Sequence, residues 1–193
     1  MISAIVLAAG QSTRMGMQKM FLPWGETTVI GKVISTVLKG GVSDIHVVTG
    51  GTHAELMELL HGYQVHLVFN MDYANGEMLT SIQVGIGDVN KTTEAIMVVL
   101  GDQPQIEARV VNEICERYLA TQHPIIVPSY KMHRGHPWLL GKSYWDEILA
   151  LRPPLTLHNF LINHNGDIDY VNVDRVSVIQ DLDTQQDYSQ SKP

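Results

Sequence analysis

Short, continuous apolar runs alternate with amphipathic stretches along most of this chain, and the alternation limits the folds it can adopt. The runs that we predict as β-strands cover residues 3–7, 44–49, 64–69, 95–100 and 125–128. The stretches with helical spacing cover residues 28–38, 53–60, 78–84, 106–120, 144–150 and 156–163. Strands that are apolar on both faces are typical of a parallel sheet covered by helices on each side. The sequence therefore predicts a three-layer α/β/α sandwich with a mostly parallel, Rossmann-like sheet.

The size of the chain suits one domain. It has 193 residues, of which 45% are hydrophobic, and this is enough for a core of ordinary size. Because no linker or repeat interrupts it, we expect a single domain over residues 1–193 with a frayed tail at 189–193. The sequence has no apolar run of transmembrane length, and its N-terminus enters a strand without a basic region, so we expect neither a membrane span nor a signal peptide.

The net charge bears on the type of ligand, and the cysteine content bears on the cellular compartment. The formal net charge is −7, which argues against general nucleic-acid binding because that requires a basic face. The only cysteine, Cys115, excludes an intrachain disulfide and suits a reducing cytoplasm, where we expect the protein to reside. The nine histidines are scattered, and none of their spacings is typical of zinc ligands.

The loop after the first strand carries the strongest functional signal. It reads LAAGQSTRMGMQK over residues 7–19. Small residues let backbone N–H groups approach a polyphosphate, while Arg14 and Lys19 supply positive charge. The loop is not a P-loop, since Met15 stands where the second glycine is required, and Ser12 breaks the dinucleotide fingerprint. An ordinary strand-to-helix turn would leave both cations unexplained, so we predict a nucleoside triphosphate site.

A carboxylate follows a second apolar strand in the segment IMVVLGDQP, residues 96–104. Gly101 allows the backbone to approach a ligand, and Asp102 lies where Mg²⁺ could be shared between a carboxylate and phosphate oxygens. The alternative is that Asp102 caps the helix predicted from residue 106. We predict that Asp102 binds the metal.

The two segments resemble the signatures of the MobA-like nucleotidyltransferases and look most similar to the molybdenum cofactor cytidylyltransferase branch. The resemblance implies that Ala8 and Ala9 lie along the base and ribose, and two alanines there favour cytosine over guanine. It also makes Arg14, Lys19 and Asp102 the catalytic residues. The nucleotide-binding residues that it implies are Leu7, Ala8, Ala9, Gly10, Ser12, Arg14, Lys19, Gly76, Ser81 and Gly101.

Gly76 and Ser81 belong to the segment NGEMLTSI, residues 75–82, which resembles a family segment that opens a helix near the nucleotide. A hydroxyl at a helix N-terminus can donate to phosphate or ribose. The alternative is an amphipathic helix that is capped for structural reasons alone.

The predicted acceptor side rests on Gly135, His136 and Pro137, which look like the Gly-His/Asn-Pro turn of the cytidylyltransferase branch. The alternative is that His136 is an ordinary turn residue. Residues 151–160 lack the glycines and arginine of the family's Gly-Asp-x-Gly-Ala-Arg segment, and this departure leaves the acceptor open.

The C-terminal segment VIQDLDT, residues 178–184, resembles the acidic ending of the family. Asp181 is a second candidate metal ligand, because acidic residues two apart on an extended segment share one face. Asp183 or Thr184 would cap the last helix, and we favour Asp183.

The resemblance implies transfer of a nucleotidyl group from a nucleoside triphosphate, with CTP favoured, to a phosphorylated acceptor, with molybdopterin favoured. The expected cofactor is Mg²⁺, with Mn²⁺ as the alternative, and a molybdoenzyme or maturation protein is a further candidate partner. Two other interpretations stay open. One is a guanylyl, sugar-phosphate or isoprenoid-phosphate transferase of the same fold. The other is a nucleotide-binding maturation factor for molybdoenzymes that performs no turnover.

Overall fold

The computed structural model of the chain describes residues 1–10, 18–74, 78–182 and 184–193. The strands found there are β1 (Ile2–Ala8), β2 (Pro23–Trp24), β3 (Thr27–Thr28), β4 (Asp44–Thr49), β5 (His66–Phe69), β6 (Ala95–Leu100), β7 (Ile125–Tyr130), β8 (His133–Arg134), β9 (Trp138–Gly141) and β10 (Ile168–Asn172). The α-helices are α1 (Val29–Lys39), α2 (His53–Leu59), α3 (Met78–Asp88), α4 (Ala108–Thr121), α5 (Trp145–Ala150), α6 (Leu157–Asn163) and α7 (Gln185–Ser191). Short 3-10 helices occupy Lys19–Phe21, Lys142–Tyr144, Asn165–Asp167 and Val176–Ile179.

A mixed, mostly parallel sheet forms the centre of the molecule. Its order is β10-β7-β9-β6-β1-β4-β5, with β8 paired to β7, while β2 and β3 form a separate hairpin. β1 lies between β4 and β6 and runs parallel to both, with Ala8 beside Thr49 and Leu7 beside Leu100. Three parallel strands therefore end at one edge, as the sequence predicts. β9 runs antiparallel between β6 and β7.

Alternate residues of the central strands face two separate cores. Ala4 and Val6 of β1 pack on the side that includes buried residues of α1, α2 and α4. Ile5 faces the opposite core, to which α3, α5 and α6 contribute. Both sheet faces are thus covered by helices, and the predicted three-layer α/β/α sandwich is confirmed. Cys115 is buried on α4, and burial raises the pKa of its thiol to about 11.

The predicted strands 44–49 and 95–100 coincide with β4 and β6, whereas β9 and β10 have no counterpart among the predictions. β9 has only four residues and is fully buried. It follows directly on the turn that contains Pro137, and so the sequence pattern indicates a loop there. Its two neighbours, not its own periodicity, stabilise it as a strand.

Helix α7, the last helix of the chain, packs against the β2–β3 hairpin. Thr184 is the N-cap residue of α7 and forms a capping box with Asp187. Of the two residues predicted to cap this helix, Thr184 is therefore the cap. Asp183, which we favoured for this role, lies outside the described residues. Tyr188 donates a hydrogen bond to the carbonyl of Pro23 and its ring lies near Trp24. The helix extends to Ser191 and thus includes the first three residues of the segment expected as a tail. No helix in the described ranges is long and apolar enough to cross a membrane.

Helix α3 approaches β1 closely at Gly85. A Cβ built on Gly85 would lie 2.6 Å from Cγ2 of Ile5, which is completely buried, whereas a Cβ on Gly87 would meet nothing within 4 Å. The helix can therefore lie this close to the sheet only with glycine at position 85.

We predict that Gly85→Ala and Gly87→Ala shift stability in opposite directions. In both variants the higher helix propensity of alanine should raise the free energy of unfolding by up to about 1 kcal/mol. Only Gly85→Ala adds overpacking, which typically costs about 1–3 kcal/mol, so it should be less stable than the wild type by about 1 kcal/mol. Urea denaturation of the three proteins measures this difference, and equal stabilisation by both substitutions would contradict the close contact.

Candidate functional site

Most of the predicted site residues that the structure describes lie along the edge where β1, β4 and β6 end. Leu7 and Ala8 are the last residues of β1, and Gly10 is exposed beyond them. The backbone N–H of Gly101 donates to the carbonyl of Leu7 at 3.0 Å, and a Cβ on Gly101 would lie 2.7 Å from the same oxygen. The loops after β1 and β6 are thereby held in direct contact.

A cation and a carboxylate meet at this edge. The Nζ atom of Lys19 lies 3.4 Å from an oxygen of Asp102. Lys19 belongs to the short helix Lys19–Phe21 and is only 8% exposed, while about a third of the Asp102 side chain is exposed. Loops that follow different strands therefore bring together two of the three predicted catalytic residues. The alternative role of Asp102 as a helix cap is wrong, because Glu107 is the N-cap residue of α4.

The second candidate metal ligand, Asp181, lies close to Asp102. Burial raises the pKa of Asp102 above its ordinary value of 3.8; Lys19 opposes this shift, and the negative charge of Asp181 adds to it. The amide of Gln103 donates to Asp181 at 2.9 Å and to the carbonyl of Gln180 at 3.1 Å. Two neighbouring carboxylates at one edge of the sheet form a donor set of the type that Mg²⁺ and Mn²⁺ prefer.

Ser81 lies in the first turn of α3 and is 5% exposed. The side-chain amide of Asn70 donates to the hydroxyl oxygens of Thr80 and Ser81 at 3.2 and 3.1 Å. The N–H of Asn70 in turn donates to the carbonyl of Thr49, the last residue of β4. Ser81 is therefore fixed at the same edge of the sheet, and Asn70 is the residue that positions it.

The predicted acceptor turn packs against the segment that leads to Asp181. The N–H of His136 donates to the carbonyl of Val178 at 2.9 Å, and a Cβ on Gly135 would lie 2.4 Å from that oxygen. Since the three residues from Val178 to Asp181 span at most about 10 Å, the turn and the carboxylates border one region. Pro137 follows a cis peptide bond and is buried.

His136 has the environment of a neutral histidine. Its ring stacks on that of Trp138 with centroids 4.2 Å apart, and burial lowers its pKa to about 4. Its Nε2 atom is buried and makes no hydrogen bond to any residue that the structure describes. The unused nitrogen of a neutral imidazole is a hydrogen-bonding group, and the acceptor role and the ordinary turn role of His136 both stay predictions.

Several predictions fall outside the described residues. These are the roles of Ser12, Arg14 and Gly76. Residues 151–160, where the sequence departs from the family pattern, form the loop after α5 and the start of α6. Arg152 donates to the carbonyls of Leu149 and Leu151, and Thr156 forms a capping box with Asn159.

Sequence reasoning missed two features. Tyr73 packs on Gly50 and Gly51, and a Cβ on Gly50 would lie 2.7 Å from the carbonyl of Ala9; the Gly-Gly pair after β4 was the available signal. The spacing of the histidines along the chain does not predict a cluster that forms where β4 pairs with β5. Ligand atoms of Asp44, His46 and His66 lie within 4.8 Å of one another.

Known proteins resemble this chain over almost its whole length. Residues 4–168 match the MobA-like NTP transferase domain. The molybdenum cofactor cytidylyltransferase of Escherichia coli (strain K12) is 31% identical over 193 residues, which cover 99% of this chain and 95% of that protein.

Solved structures share the fold. Rv0371c from Mycobacterium tuberculosis H37Rv superimposes with a TM-score of 0.85 at 25% identity, covering 98% of this chain and 96% of that one. A nucleotidyl transferase from Methanothermobacter thermautotrophicus gives a TM-score of 0.84 at 24% identity, with coverage of 100% and 96%. A second Rv0371c structure, a complex with manganese, gives 0.81 at 24% identity, with coverage of 99% and 97%.

The fold and these matches define a nucleotidyltransferase. The chain belongs to the MobA-like NTP transferase family, whose members bind a nucleoside triphosphate and an acceptor.

We predict that replacing Asp102 by Asn changes how stability depends on pH. A carboxylate with a raised pKa binds its proton more tightly in the folded protein than in the unfolded chain. Wild-type stability, relative to Asp102→Asn, should therefore fall as pH rises through the window above 3.8.

Denaturation of both proteins in a metal chelator, from below that pH to neutrality, measures the difference. Asp146→Asn, which removes an exposed carboxylate on α5, separates the local effect from the loss of one negative charge. A relative gain in wild-type stability with rising pH would show that Asp102 is not disfavoured as an anion.

Proposed function

We propose that this protein transfers a cytidylyl group from CTP to the phosphate of molybdopterin and releases pyrophosphate. The observation that carries the proposal is the buried Lys19 beside Asp102 at the shared ends of β1 and β6. The similarity to the E. coli molybdenum cofactor cytidylyltransferase supports the choice of base and acceptor.

In the proposed reaction an oxygen of the acceptor phosphate attacks the α-phosphorus of the triphosphate in line. The bond from that phosphorus to the bridging oxygen breaks, and the electron pair leaves with pyrophosphate. No covalent enzyme intermediate is required, so the protein contributes alignment and stabilisation of the charge that develops on the phosphate oxygens.

Each predicted side chain has one task in this scheme. Lys19 stabilises the α-phosphate as a compact positive charge. Arg14 binds the β- and γ-phosphates through its planar fork. Gly10 and neighbouring amides contact the phosphate chain, and Ala8 and Ala9 lie along the cytosine and ribose.

The oxygen donors at this edge suit a divalent metal. Asp102 and Asp181 would hold Mg²⁺ or Mn²⁺, which neutralises phosphate charge when bound. The carboxylates fit this task because burial, with a smaller contribution from the charge of Asp181, raises the pKa of Asp102, and a bound cation would stabilise the ionised form. The manganese complex of Rv0371c is a precedent in the same fold.

The acceptor is assigned to the turn of Gly135, His136 and Pro137. His136 is neutral near physiological pH because burial lowers its pKa to about 4. It is therefore suited to hydrogen-bond a pterin or phosphate without adding charge, and Gly135 allows the turn to pack against Val178.

We expect Lys19→Ala and Asp102→Ala each to lower turnover on the order of 100-fold or more, the usual effect of removing one electrostatic stabiliser. Pyrophosphate release with molybdopterin and CTP, GTP, ATP or UTP measures turnover and base preference together. Lys39→Ala and Asp146→Ala, at exposed positions, are the matched controls. Wild-type turnover in both site variants would disprove the mechanism, and a preference for GTP would favour the guanylyl alternative.

We expect His136→Asn to raise KM for the acceptor by about 10-fold, the cost of one hydrogen bond of about 1.4 kcal/mol. KM for CTP should change little, because the proposed nucleotide contacts lie on other loops. Steady-state kinetics with each substrate varied in turn measure the two constants. Equal changes in both constants would assign His136 a structural role.

A further inference from the structure

A second set of polar side chains lies at the opposite edge of the sheet, where β4 and β5 begin. Asp44 and His46 are two residues apart on β4 and therefore point to one face. His66, the first residue of β5, pairs in register with His46. The sequence separates these residues, but the pairing of the two strands brings them together.

The three groups point their ligand atoms at one position. Oδ1 of Asp44 lies 3.4 Å from Nε2 of His46 and 3.8 Å from Nε2 of His66. Zinc–ligand bonds of about 2.0–2.2 Å at tetrahedral angles separate neighbouring ligand atoms by about 3.3–3.6 Å. The observed distances are close to that range, and the histidine rings stack with centroids 4.8 Å apart.

His46 is oriented as a metal ligand. Its Nδ1 atom lies 2.6 Å from a carboxylate oxygen of Asp88, at the end of α3. In the neutral ring, a proton on Nδ1 that is donated to Asp88 leaves a lone pair on Nε2, as in carboxylate–histidine–metal arrangements. The residue is only 4% exposed, and Nε2 makes no hydrogen bond in the described part of the chain.

Asp44 is held in place in a similar way. Its second oxygen accepts a hydrogen bond from the hydroxyl of Ser3, which contacts Thr93 at 2.8 Å. Its other oxygen faces Nε2 of His46 at 3.4 Å. When His46 is neutral with its proton on Nδ1, these two acceptors require a cation between them.

We propose that Asp44, His46 and His66 form a binding site for a divalent transition metal of the zinc class. Two imidazoles and one carboxylate favour such a metal over Mg²⁺, which prefers oxygen ligands. His66 is largely exposed, so the metal enters from solvent and water fills the remaining position. A metal here joins β4 to the edge strand β5.

The site is separate from the proposed nucleotide-binding edge. The six residues of β4 span about 17–20 Å, and the two metals would occupy its opposite ends. Oxygen donors at one end and imidazoles at the other select different metals, so the zinc-class site does not depend on the proposed reaction.

Titration of the untagged full-length protein with ZnCl₂, after removal of metals by chelator, tests the proposal. In excess MgCl₂, isothermal titration calorimetry should show one bound zinc, and zinc should raise Tm. His66→Ala, at an exposed edge position, should weaken zinc binding at least about 100-fold, and Asp88→Asn, which removes a positioning residue, by about 10–100-fold. His61→Ala, an exposed histidine before β5, is the matched control and should bind like the wild type.

The Co²⁺-loaded protein should show the visible absorption of a site with nitrogen ligands, and His66→Ala should lose it. Circular dichroism and Tm of the metal-free variants establish that they are folded. Absence of zinc binding in the wild type would overturn the proposal and identify a protonated His46 held between Asp44 and Asp88. Unchanged binding in folded His66→Ala would overturn it equally.

Discussion

The alignment of β1 with its two parallel neighbours is the constraint on which the candidate site depends. β1 pairs with β4 and β6 in a register that ends all three strands at nearly the same level. The N–H of Gly101 then bonds the carbonyl of Leu7, which places Asp102 beside the loop that follows β1. A shift of one residue in either pairing would exchange the two faces of the strand and separate the loops.

The candidate site brings a cation to this edge, although the molecule as a whole carries a net negative charge. The net charge of −7 repels a triphosphate, so binding depends on a few cations at one place. Lys19 is buried next to Asp102, and burial keeps the pKa of that carboxylate above its ordinary value. The fold therefore tolerates an unfavourable anion at the position where we propose that a metal–nucleotide complex binds.

The sequence predicts the two strands that carry the loops of the candidate site, because β1 and β6 are apolar runs. It does not predict β9, since a four-residue buried strand depends on its neighbours for its conformation. The nearness of Lys19 to Asp102 follows from the parallel topology. The gathering of Asp44, His46 and His66 depends on the register of β4 and β5, and register is not visible in spacing along the chain.

Side-chain hydrogen bonds hold helix α3 at both of its ends. Ser81, in its first turn, accepts a hydrogen bond from Asn70, and Asp88, its last residue, contacts His46. Between them Gly85 rests against Ile5. The helix is about 16 Å long, and movement along its own axis would break a hydrogen bond at one of its ends. α3 therefore links the candidate nucleotide-binding edge to the cluster of Asp44, His46 and His66 at the other edge.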